Sequence, residues 1–347
     1  MKGLAFTRLA IARSVAKGDP DEAVAYASAR WGEGTQSARL VKAAIEAGST
    51  DSGNWGNPLV GEVGSIAAEF VAAVRAQSII GRLQGLRRVP PRTPILAQTG
   101  KATGHWVEEG QPAPISAMSF ARTSLATLKI AAACVVSDEL LQSTDPAAEI
   151  FIRNELVAAV TRTSDETFID PSNAGSTDQR PPAVTNGVTP AVSSGIDAFE
   201  LDVKRLIASF AGDLETAYFV ASPKLLAQIA GVEFPNVGAR GGEILGIPAI
   251  SSANVPDSGG NYQLALIDPA GIAFTSRDEI AEVRSSTSAL IDMRDDPTLP
   301  PGVGHKLVSA FQVDSTVIAA MLHENWETVR PGSVALLTGI APVEVMP

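Results

Sequence analysis

The sequence predicts an α+β protein organised around a polar loop, a β-rich run and one long helix. Residues 106–114 form a loop of Glu, Gly, Gln and Pro, and a β-rich run follows at 123–136. An uninterrupted helical pattern then extends from Asp145 to about Ile169. Helices and strands alternate irregularly further on, which argues against a doubly wound nucleotide-binding fold. A long helix behind an extended β-loop is typical of a subunit that tiles a surface.

The first fifty residues predict two or three short helices. Residues 19–22 read Asp-Pro-Asp-Glu, which supplies an N-cap, a proline at the first helical position and a capping-box glutamate. Val24, Ala27 and Trp31 then share one face, and a third helix is predicted over 35–47. This segment is either a small helical adaptor packed on the body or an arm that reaches a neighbouring subunit. The sequence leaves both alternatives open.

A second helical pattern and a long polar excursion precede the β-rich run. Ile66, Phe70, Val71 and Val74 are spaced for one helix face within 59–78. Residues 93–120 then turn to Pro, Gly, Thr and Gln without helical periodicity. Loops of this length inside a domain are uncommon and tend to be functional or bound to a partner. A two-stranded arm projecting from the body fits this composition.

The β-rich run alternates with period two, which predicts one buried face. The predicted buried side consists of Leu128, Ile130, Ala132, Cys134 and Val136. Cys134 is interpreted as a small core residue, because no nearby His or Arg is evident to lower the pKa of its thiol.

The long helix begins at Thr144 or Asp145 as N-cap, with Pro146 at the first helical position. At about 1.5 Å per residue it is a rod of about 36 Å, longer than most globular helices. The predicted inner stripe is Ile150, Leu156, Val157, Val160, Ser164 and Phe168. The residues predicted to face outward are Arg153, Asn154, Arg162 and Asp165.

The last part of the chain predicts a more ordinary α/β region. Asp197 is predicted to cap a helix with Glu200 as its box partner, and Ser222-Pro223 to open another. Residues 279–292 alternate as one extended strand. Further strands are predicted at 217–220, 246–250, 263–267, within 305–321 and at 334–337.

Composition excludes several classes of protein. The net charge of −11 gives no general attraction to nucleic acid. One cysteine excludes an internal disulfide and a Cys-rich zinc site, and the three histidines lie far apart. No run approaches the roughly 20 apolar residues of a membrane helix, and no signal peptide is evident. The prediction is a soluble protein with no cofactor, no metal and no membrane contact.

Three patterns bear on possible chemistry. Residues 238–246 are Gly-rich, but they lack phosphate-loop spacing, so a flexible turn is predicted. Residues 292–296 hold three carboxylates that could bind a cation, although the Pro-rich sequence beside them favours a solvated loop. His105 has no identifiable nucleophile as a partner. A soluble hydrolase using His105 or this carboxylate cluster is therefore an alternative without positive support, and the chain is predicted not to be an enzyme.

The order of several segments resembles the major capsid proteins of tailed bacteriophages, of the Hong Kong-97 type. The segments that carry the resemblance are Trp106–Gly110, Ser116, Phe120, Leu125, Lys129, Ser137–Leu141, the long helix ending at Asp165–Phe168, Gly242–Pro256, Asn325–Pro331 and Val334–Thr338. No single motif is diagnostic, and the resemblance rests on their order and spacing from about Gly53 to Thr338.

The resemblance implies an α+β Hong Kong-97-type capsid fold with named parts. They are an N-terminal helical segment (1–50), an N-arm (51–78), a peripheral domain with the spine helix (79–92, 121–172 and 278–315, with the helix at about 145–169), an extended loop (93–120) and an axial domain (173–277 and 316–347). The implied function is self-assembly, as pentamers and hexamers, into the icosahedral head shell of a tailed phage, prophage or gene-transfer particle. The implied location is the virion, assembled in the host cytoplasm around packaged DNA that is not bound sequence-specifically. Cement, scaffolding, portal and protease proteins are possible partners.

Two departures from the family pattern carry predictions. Ala113 stands near the place of a loop lysine that forms covalent cross-links in one branch of the family, and the closest loop lysine is Lys101, so no cross-link is predicted. The helical segment 1–50 is expected to be retained as an arm. The residues predicted to contact other subunits are Lys101, His105, Trp106, Glu108, Glu109, Arg122, Arg153 and Arg162. An encapsulin-type nanocompartment shell around a cargo enzyme is the alternative within the same fold.

Overall fold

The computed structural model describes most of the chain. The residues described are 4–16, 19–35, 38–39, 69–98, 106–107, 120–139, 146–257, 260–277, 282–286, 289–293 and 306–342. They fall into two units. Unit 1 draws on residues within 1–76, 129–161 and 277–323, and unit 2 on residues within 77–128, 162–276 and 324–347. Among the described residues no helix is both long enough and apolar enough to cross a membrane.

Unit 1 is built from helices packed on an antiparallel sheet. The helices are α1 (Leu4–Val15), α2 (Pro20–Trp31), α3 (helical over 69–77) and the first part of α5 (Pro146–Ile169). The strands are β4 (Leu128–Ser137), β12 (Glu282–Ser286) and the first part of β15 (Ser315–Thr328). β15 pairs with β4 and, antiparallel, with β12. A separate hairpin joins β13 (Leu290–Met293) to β14 (Lys306–Ser309).

The core of unit 1 follows the periodicities that the sequence predicts. β4 alternates strictly between more and less buried residues, with Val136 fully buried. Phe70, Val71 and Val74 of α3 are buried in the same cluster as Leu156 and Val160 of α5. The predicted strand face is therefore confirmed, and so is the helix face over the described residues 69–77. Residues 59–68 of the predicted helix, with Ile66, lie outside the described residues.

The N-terminal helices begin where the local sequence predicts. Asp19 is the N-cap of α2, and its side chain accepts hydrogen bonds from the backbone N–H groups of Asp21 and Glu22. Ala10 and Ile11 of α1 belong to the same core cluster as α3 and α5. Of the two alternatives that the sequence left open, these contacts favour helices packed on the body of their own chain. Most of the third predicted helix, 35–47, lies outside the described residues. The predicted N-cap residues of the long helix, Thr144 and Asp145, also lie outside them.

The long helix α5 is confirmed, with one error in its predicted outer face. It spans Pro146–Ile169 without an internal proline or glycine. Arg162 and Asn154 are exposed as predicted, whereas Asp165 is wholly buried. The outward prediction for Asp165 was wrong because it followed polarity, whereas three hydrogen-bond donors from two other segments surround its carboxylate.

Unit 2 is organised on a seven-stranded mixed sheet with apolar side chains on both faces. Its strand order is β5-β16-β10-β6-β9-β8-β7. The strands are β5 (Ala191–Val192), β6 (Tyr218–Ala221), β7 (Val237–Gly238), β8 (Gly241–Ile244), β9 (Ile247–Ser251), β10 (Tyr262–Ile267) and β16 (Val334–Ile340). Leu264 and Leu266 pack with helices α6 (Phe199–Ser209) and α7 (Pro223–Ile229). Ala265 and Ile267 point to the other face, in a cluster with α4 (Ile79–Arg82) and the end of α5.

Three predictions about local structure in the last part of the chain were wrong. The first helix there begins at Phe199 after a 3₁₀ turn at Ile196–Ala198, so Ala198 and not Asp197 is the N-cap. The single strand predicted over 279–292 is two strands, β12 and β13, which belong to different sheets. The Gly-rich segment 238–246 is not merely a flexible turn. It contains β8, where a Cβ on Gly242 would lie 2.0 Å from the carbonyl oxygen of Asn236.

Candidate functional site

The foot of the extended loop is an antiparallel strand pair. β2 (Pro94–Gln98) pairs with β3 (Phe120–Ser124), and Pro94 lies opposite Ser124. A two-stranded arm is therefore confirmed at its base. Most of the loop beyond this base, including Lys101, His105, Glu108, Glu109 and Ala113, lies outside the described residues.

The loop foot is anchored in unit 2 by both apolar and polar contacts. Ile95 and Leu125 are buried in one cluster with Ala273 and Val329. The hydroxyl of Thr123 donates to the Glu327 carboxylate over 2.8 Å. The side-chain amide of Asn325 donates to the carbonyl of residue 126 over 2.6 Å. These contacts fix the direction in which the loop leaves the body.

A cleft of about 460 Å³ lies beside the loop foot, within unit 2. Residues 124–128, 174–182 and 325–327 contribute to its walls. The indole N–H of Trp326 donates to the carbonyl of Pro182 over 2.9 Å, which holds one wall in place. Gly175 has φ +75°, and a Cβ there would lie 2.6 Å from the nitrogen of Pro182, so the turn requires glycine. No histidine or cysteine is among the residues that line the cleft.

The predicted contact residues that the structure describes lie on three separate elements. Trp106 is fully exposed in the loop. Arg122 is exposed on β3, and Arg162 is exposed on α5. Arg153 is half-buried on α5 and donates to the side-chain carbonyl of Asn154 over 2.8 Å. Their contacts with other subunits remain a prediction.

Unit 1 exposes large apolar side chains that the sequence analysis did not select. Phe151 on α5 is 61% exposed and Phe311, on the 3₁₀ turn Ala310–Val313, is 77% exposed. Val135 and Val313 are about half exposed. Exposed apolar side chains mark interaction surfaces when they are contiguous. Phe151 could have been found from the sequence, since it lies next to the predicted stripe of α5 but not on it.

A buried carboxylate, Glu149, joins α5 to the N-terminal helices. Glu149 is 3% exposed. One of its oxygens accepts from Arg8 Nε over 2.8 Å. The other accepts from Arg30 Nε over 3.2 Å and from the indole N–H of Trp31 over 3.0 Å. The guanidinium of Arg8 also lies 5.4 Å from the centre of the Trp31 ring, within cation–π range.

A second buried carboxylate, Asp165, joins three segments of unit 2. Its Oδ1 accepts from the backbone N–H of Ile79 over 2.7 Å. Its Oδ2 accepts from the Ser252 hydroxyl over 2.9 Å and from the Asn254 amide over 3.0 Å. Burial raises the pKa of the Asp165 carboxyl above its ordinary value, although these hydrogen bonds and the charge of Arg82 oppose the shift.

Both carboxylates were missed because a helical stripe is usually searched for apolar residues. Glu149 precedes the buried residues Ile152, Leu156 and Val160 at helical spacing, and Asp165 lies between Ser164 and Phe168 on the inner stripe. The sequence did contain a signal for both residues, namely a charged residue at the helical spacing of the apolar stripe. Such residues are rarely fully buried unless they are paired.

The described residues contain the structural ties given above. They contain no group of three or more His, Cys, Asp or Glu that could hold a metal ion. Burial raises the pKa of the Cys134 thiol, and the nearby charge of Glu155 raises it further. A raised pKa disfavours the reactive thiolate, which agrees with Cys134 as a half-buried packing residue.

The geometry therefore defines an α+β protein with an anchored strand pair at the foot of the predicted loop, a long helix and ties that hold its segments together. The chain matches the phage capsid family over residues 64–338. It is 32% identical, over 361 aligned residues, to the capsid polyprotein of Pseudomonas phage PAJU2, and the match covers 97% of this chain and 54% of that protein. The chain thus spans about half the length of this curated relative. It belongs to the phage capsid family, and the Hong Kong-97-type α+β fold implied by the sequence resemblance is confirmed.

Solved structures of similar fold are more distant in sequence. Gordonia phage Cozz matches at 19% identity and a TM-score of 0.49, covering 75% of this chain and 86% of the other. The capsid of a native GTA particle matches at 15% identity and 0.47, covering 74% and 89%. The holo-SrpI encapsulin complex of Synechococcus elongatus PCC 7942 matches at 11% identity and 0.43, covering 76% and 88%. At these scores the likenesses carry no weight, and the assignment rests on the family match.

Proposed function

We propose that this chain is the major capsid subunit that assembles with copies of itself into the icosahedral head shell of a tailed phage, prophage or gene-transfer particle. The observation that carries the proposal is the family match over residues 64–338. The anchored loop foot and the exposed apolar side chains of unit 1 support it. A shell subunit needs contacts on many sides, and stable assemblies bury about 2,000 Å² or more per interface. Closed symmetry requires each contact to be met by another copy of the same chain.

The parts of the subunit have separate proposed roles. The loop 93–120 lies over a neighbouring subunit, and its exposed Trp106 is an anchor in that contact. Residues 79–92, 121–172 and 278–315 form the peripheral domain around the spine helix. Residues 173–277 with 316–347 form the axial domain at the centre of each pentamer or hexamer, and they include the seven-stranded sheet of unit 2. Residues 1–50 and the N-arm, 51–78, are retained in the particle.

The proposed role is structural, without an enzymatic step. The shell encloses packaged DNA without sequence-specific binding, is located in the virion and assembles in the host cytoplasm. The net charge of −11 supports weak contact with the polyanion, because the chain as a whole does not attract phosphates. Portal, scaffolding, cement and protease proteins are the proposed partners during assembly.

Electron microscopy and sedimentation of the expressed protein, with analysis of its contents, test this proposal. We expect megadalton icosahedral particles that hold DNA when they form in infected or induced cells. Particles that hold a cargo enzyme and no DNA would support the encapsulin alternative. A monomer or small oligomer under all assembly conditions would contradict both.

The same particles test the two departures from the family pattern. On a denaturing gel we expect a single monomer band, because Ala113 cannot form the covalent link. A ladder of multimers would contradict this expectation. Mass spectrometry of the particle protein is expected to find the N-terminal helices, and a mature N-terminus at residue 50 or beyond would contradict their retention.

A further inference from the structure

We infer that residues 4–31 form a cover that is locked onto unit 1 by Glu149 and that opens as one piece, separately from the rest of the unit. The N-terminal cover is defined as α1, α2 and the turn between them. The inference goes beyond the proposed function, because it concerns a movement within one subunit. It does not depend on shell formation.

The cover closes an apolar face. In α1, Leu9, Ala10, Ile11 and Ala12 are consecutive buried residues. A helix buried over so much of its circumference is packed on more than one side. Ala10 and Ile11 share a cluster with α3, α5 and β15, while Leu9 and Ala12 share one with α2. α1 also packs against β12. Opening the cover would therefore expose part of the core of unit 1.

The lock consists of one carboxylate and three donors from the cover. Arg8, Arg30 and Trp31 all donate to Glu149. Trp31, the residue of the cover nearest to Glu149 in the chain, lies 118 positions from it. The side chain of Glu149 is 4% exposed, whereas the arginines are 26% and 14% exposed. Pairs this buried are screened only weakly by salt.

The burial of Glu149 makes partial opening unfavourable. A buried carboxylate that loses one partner is left without full compensation, which is costly as long as water stays excluded. When the whole cover leaves, water reaches the carboxylate and replaces the donors. Intermediate positions have neither the donors nor the water. The three donors are therefore expected to engage and release together.

The chain connectivity permits such a movement. After the cover, the described helical residues 38–39 include Ala38, which is buried in one cluster with Ala23 and Ala27 of the cover. The described part of α3 begins at residue 69. Residues 32–68 separate the cover from the described part of α3 in the sequence, so the two helical parts are not directly joined. Local opening of contiguous segments at a free energy below that of global unfolding is general in proteins.

Hydrogen exchange read by mass spectrometry on the full chain, as dissociated subunits, tests the lock. Glu149→Gln keeps the shape of the side chain but removes its charge. We expect the amides of 4–31 to exchange about tenfold to a hundredfold faster, as for the loss of hydrogen bonds to a charged group. Peptides from β15 and α6 are expected to keep their wild-type rates.

Glu155→Gln is the matched control, because Glu155 is exposed on the same helix. It should leave exchange of the cover unchanged. Trp31→Phe is a milder variant that removes the indole N–H and part of the ring but keeps the charge of Glu149, and it should accelerate exchange of the cover by a smaller factor. Its use keeps the test valid if Glu149→Gln fails to fold.

Two results would overturn the inference. Unchanged exchange in 4–31 with both Glu149→Gln and Trp31→Phe would mean that the carboxylate does not hold the cover. An equal rise in the cover and in β15 would mean that the cover opens only with the whole unit. Failure of the wild-type chain to form shells would count against the proposed function and leave this exchange result as it stands.

Discussion

Glu149 and Asp165 are two buried carboxylates on one helix, and they are neutralised in different ways. Glu149 is paired with two guanidinium groups and an indole, all from residues 4–31. Asp165 is bound by a backbone N–H, a hydroxyl and an amide, which are neutral donors from two distant segments. Arg82 contributes a charge near Asp165. The first arrangement suits a contact that forms or breaks as one piece, and the second a permanent junction of several segments.

The raised pKa of Asp165 agrees with its set of neutral donors. Neutral donors stabilise a carboxylate less than a direct ion pair does, so the cost of burial prevails and the pKa of Asp165 is raised. The guanidinium of Arg82 is itself engaged elsewhere, donating to the carbonyl of Ser251 over 2.6 Å. Burial also lowers the pKa of Arg82, which is the expected effect on a cation.

Asp165→Ala should have the largest effect on stability. It leaves the Ile79 N–H, the Ser252 hydroxyl and the Asn254 amide without their acceptor in a site that is 0% exposed. We expect a loss of about 3–5 kcal/mol in the free energy of unfolding, measured by urea denaturation of dissociated subunits. Glu166→Ala, its exposed neighbour, should change this free energy by less than about 0.5 kcal/mol. A small loss for Asp165→Ala would show that water satisfies the three donors.

Asp165→Asn should change how stability depends on pH. Because the folded-state pKa of Asp165 is raised above 3.8, the native state binds more protons than the unfolded state between these two values. The contribution of Asp165 to stability is therefore greatest below pH 3.8 and declines as the pH rises through the raised pKa. Asparagine does not titrate, so the advantage of the wild type over Asp165→Asn should narrow with rising pH. Urea titrations across acidic to neutral pH measure this difference, and a constant difference would contradict the raised pKa.

The comparison also marks what could be predicted from the sequence. Local signals were sufficient for the cap of α2, the alternation of β4 and the extent of α5, because each depends on residues a few positions apart. The same periodicity could place Glu149 and Asp165 on the inner stripe of the helix. It could not identify their partners, since Ile79 lies 86 positions from Asp165 and Arg8 lies 141 positions from Glu149. Polarity alone therefore placed Asp165 on the outside.

The candidate site was predictable to a similar degree. The composition of 93–120 predicted a two-stranded arm, and the pairing of β2 with β3 agrees. The anchors of that arm, Glu327 and Asn325, come from the far end of the chain and lie on β15, which pairs with the strand Ile272–Ser276. β11 itself (Ile272–Ser276) was not predicted from the sequence. Anchors of this kind depend on sheet register, which a single sequence does not specify between distant strands.

Trp31→Phe should have the smallest effect and be the sharpest test of the contrast. It removes one neutral donor from Glu149 and keeps most of the ring, including its edge contact with Tyr26. We expect a loss of about 1 kcal/mol in the free energy of unfolding of unit 1.

A double-mutant cycle of Trp31→Phe with Arg30→Gln tests whether the donors act together. Both side chains donate to the same oxygen of Glu149, so we expect a coupling energy of about 0.5 kcal/mol or more. Ser252→Ala gives the corresponding neutral-donor change at Asp165, and it should leave hydrogen exchange of residues 4–31 unchanged. Additive losses at Glu149 would mean that each donor engages independently. The two sites would then differ in the charge of their donors but not in cooperativity.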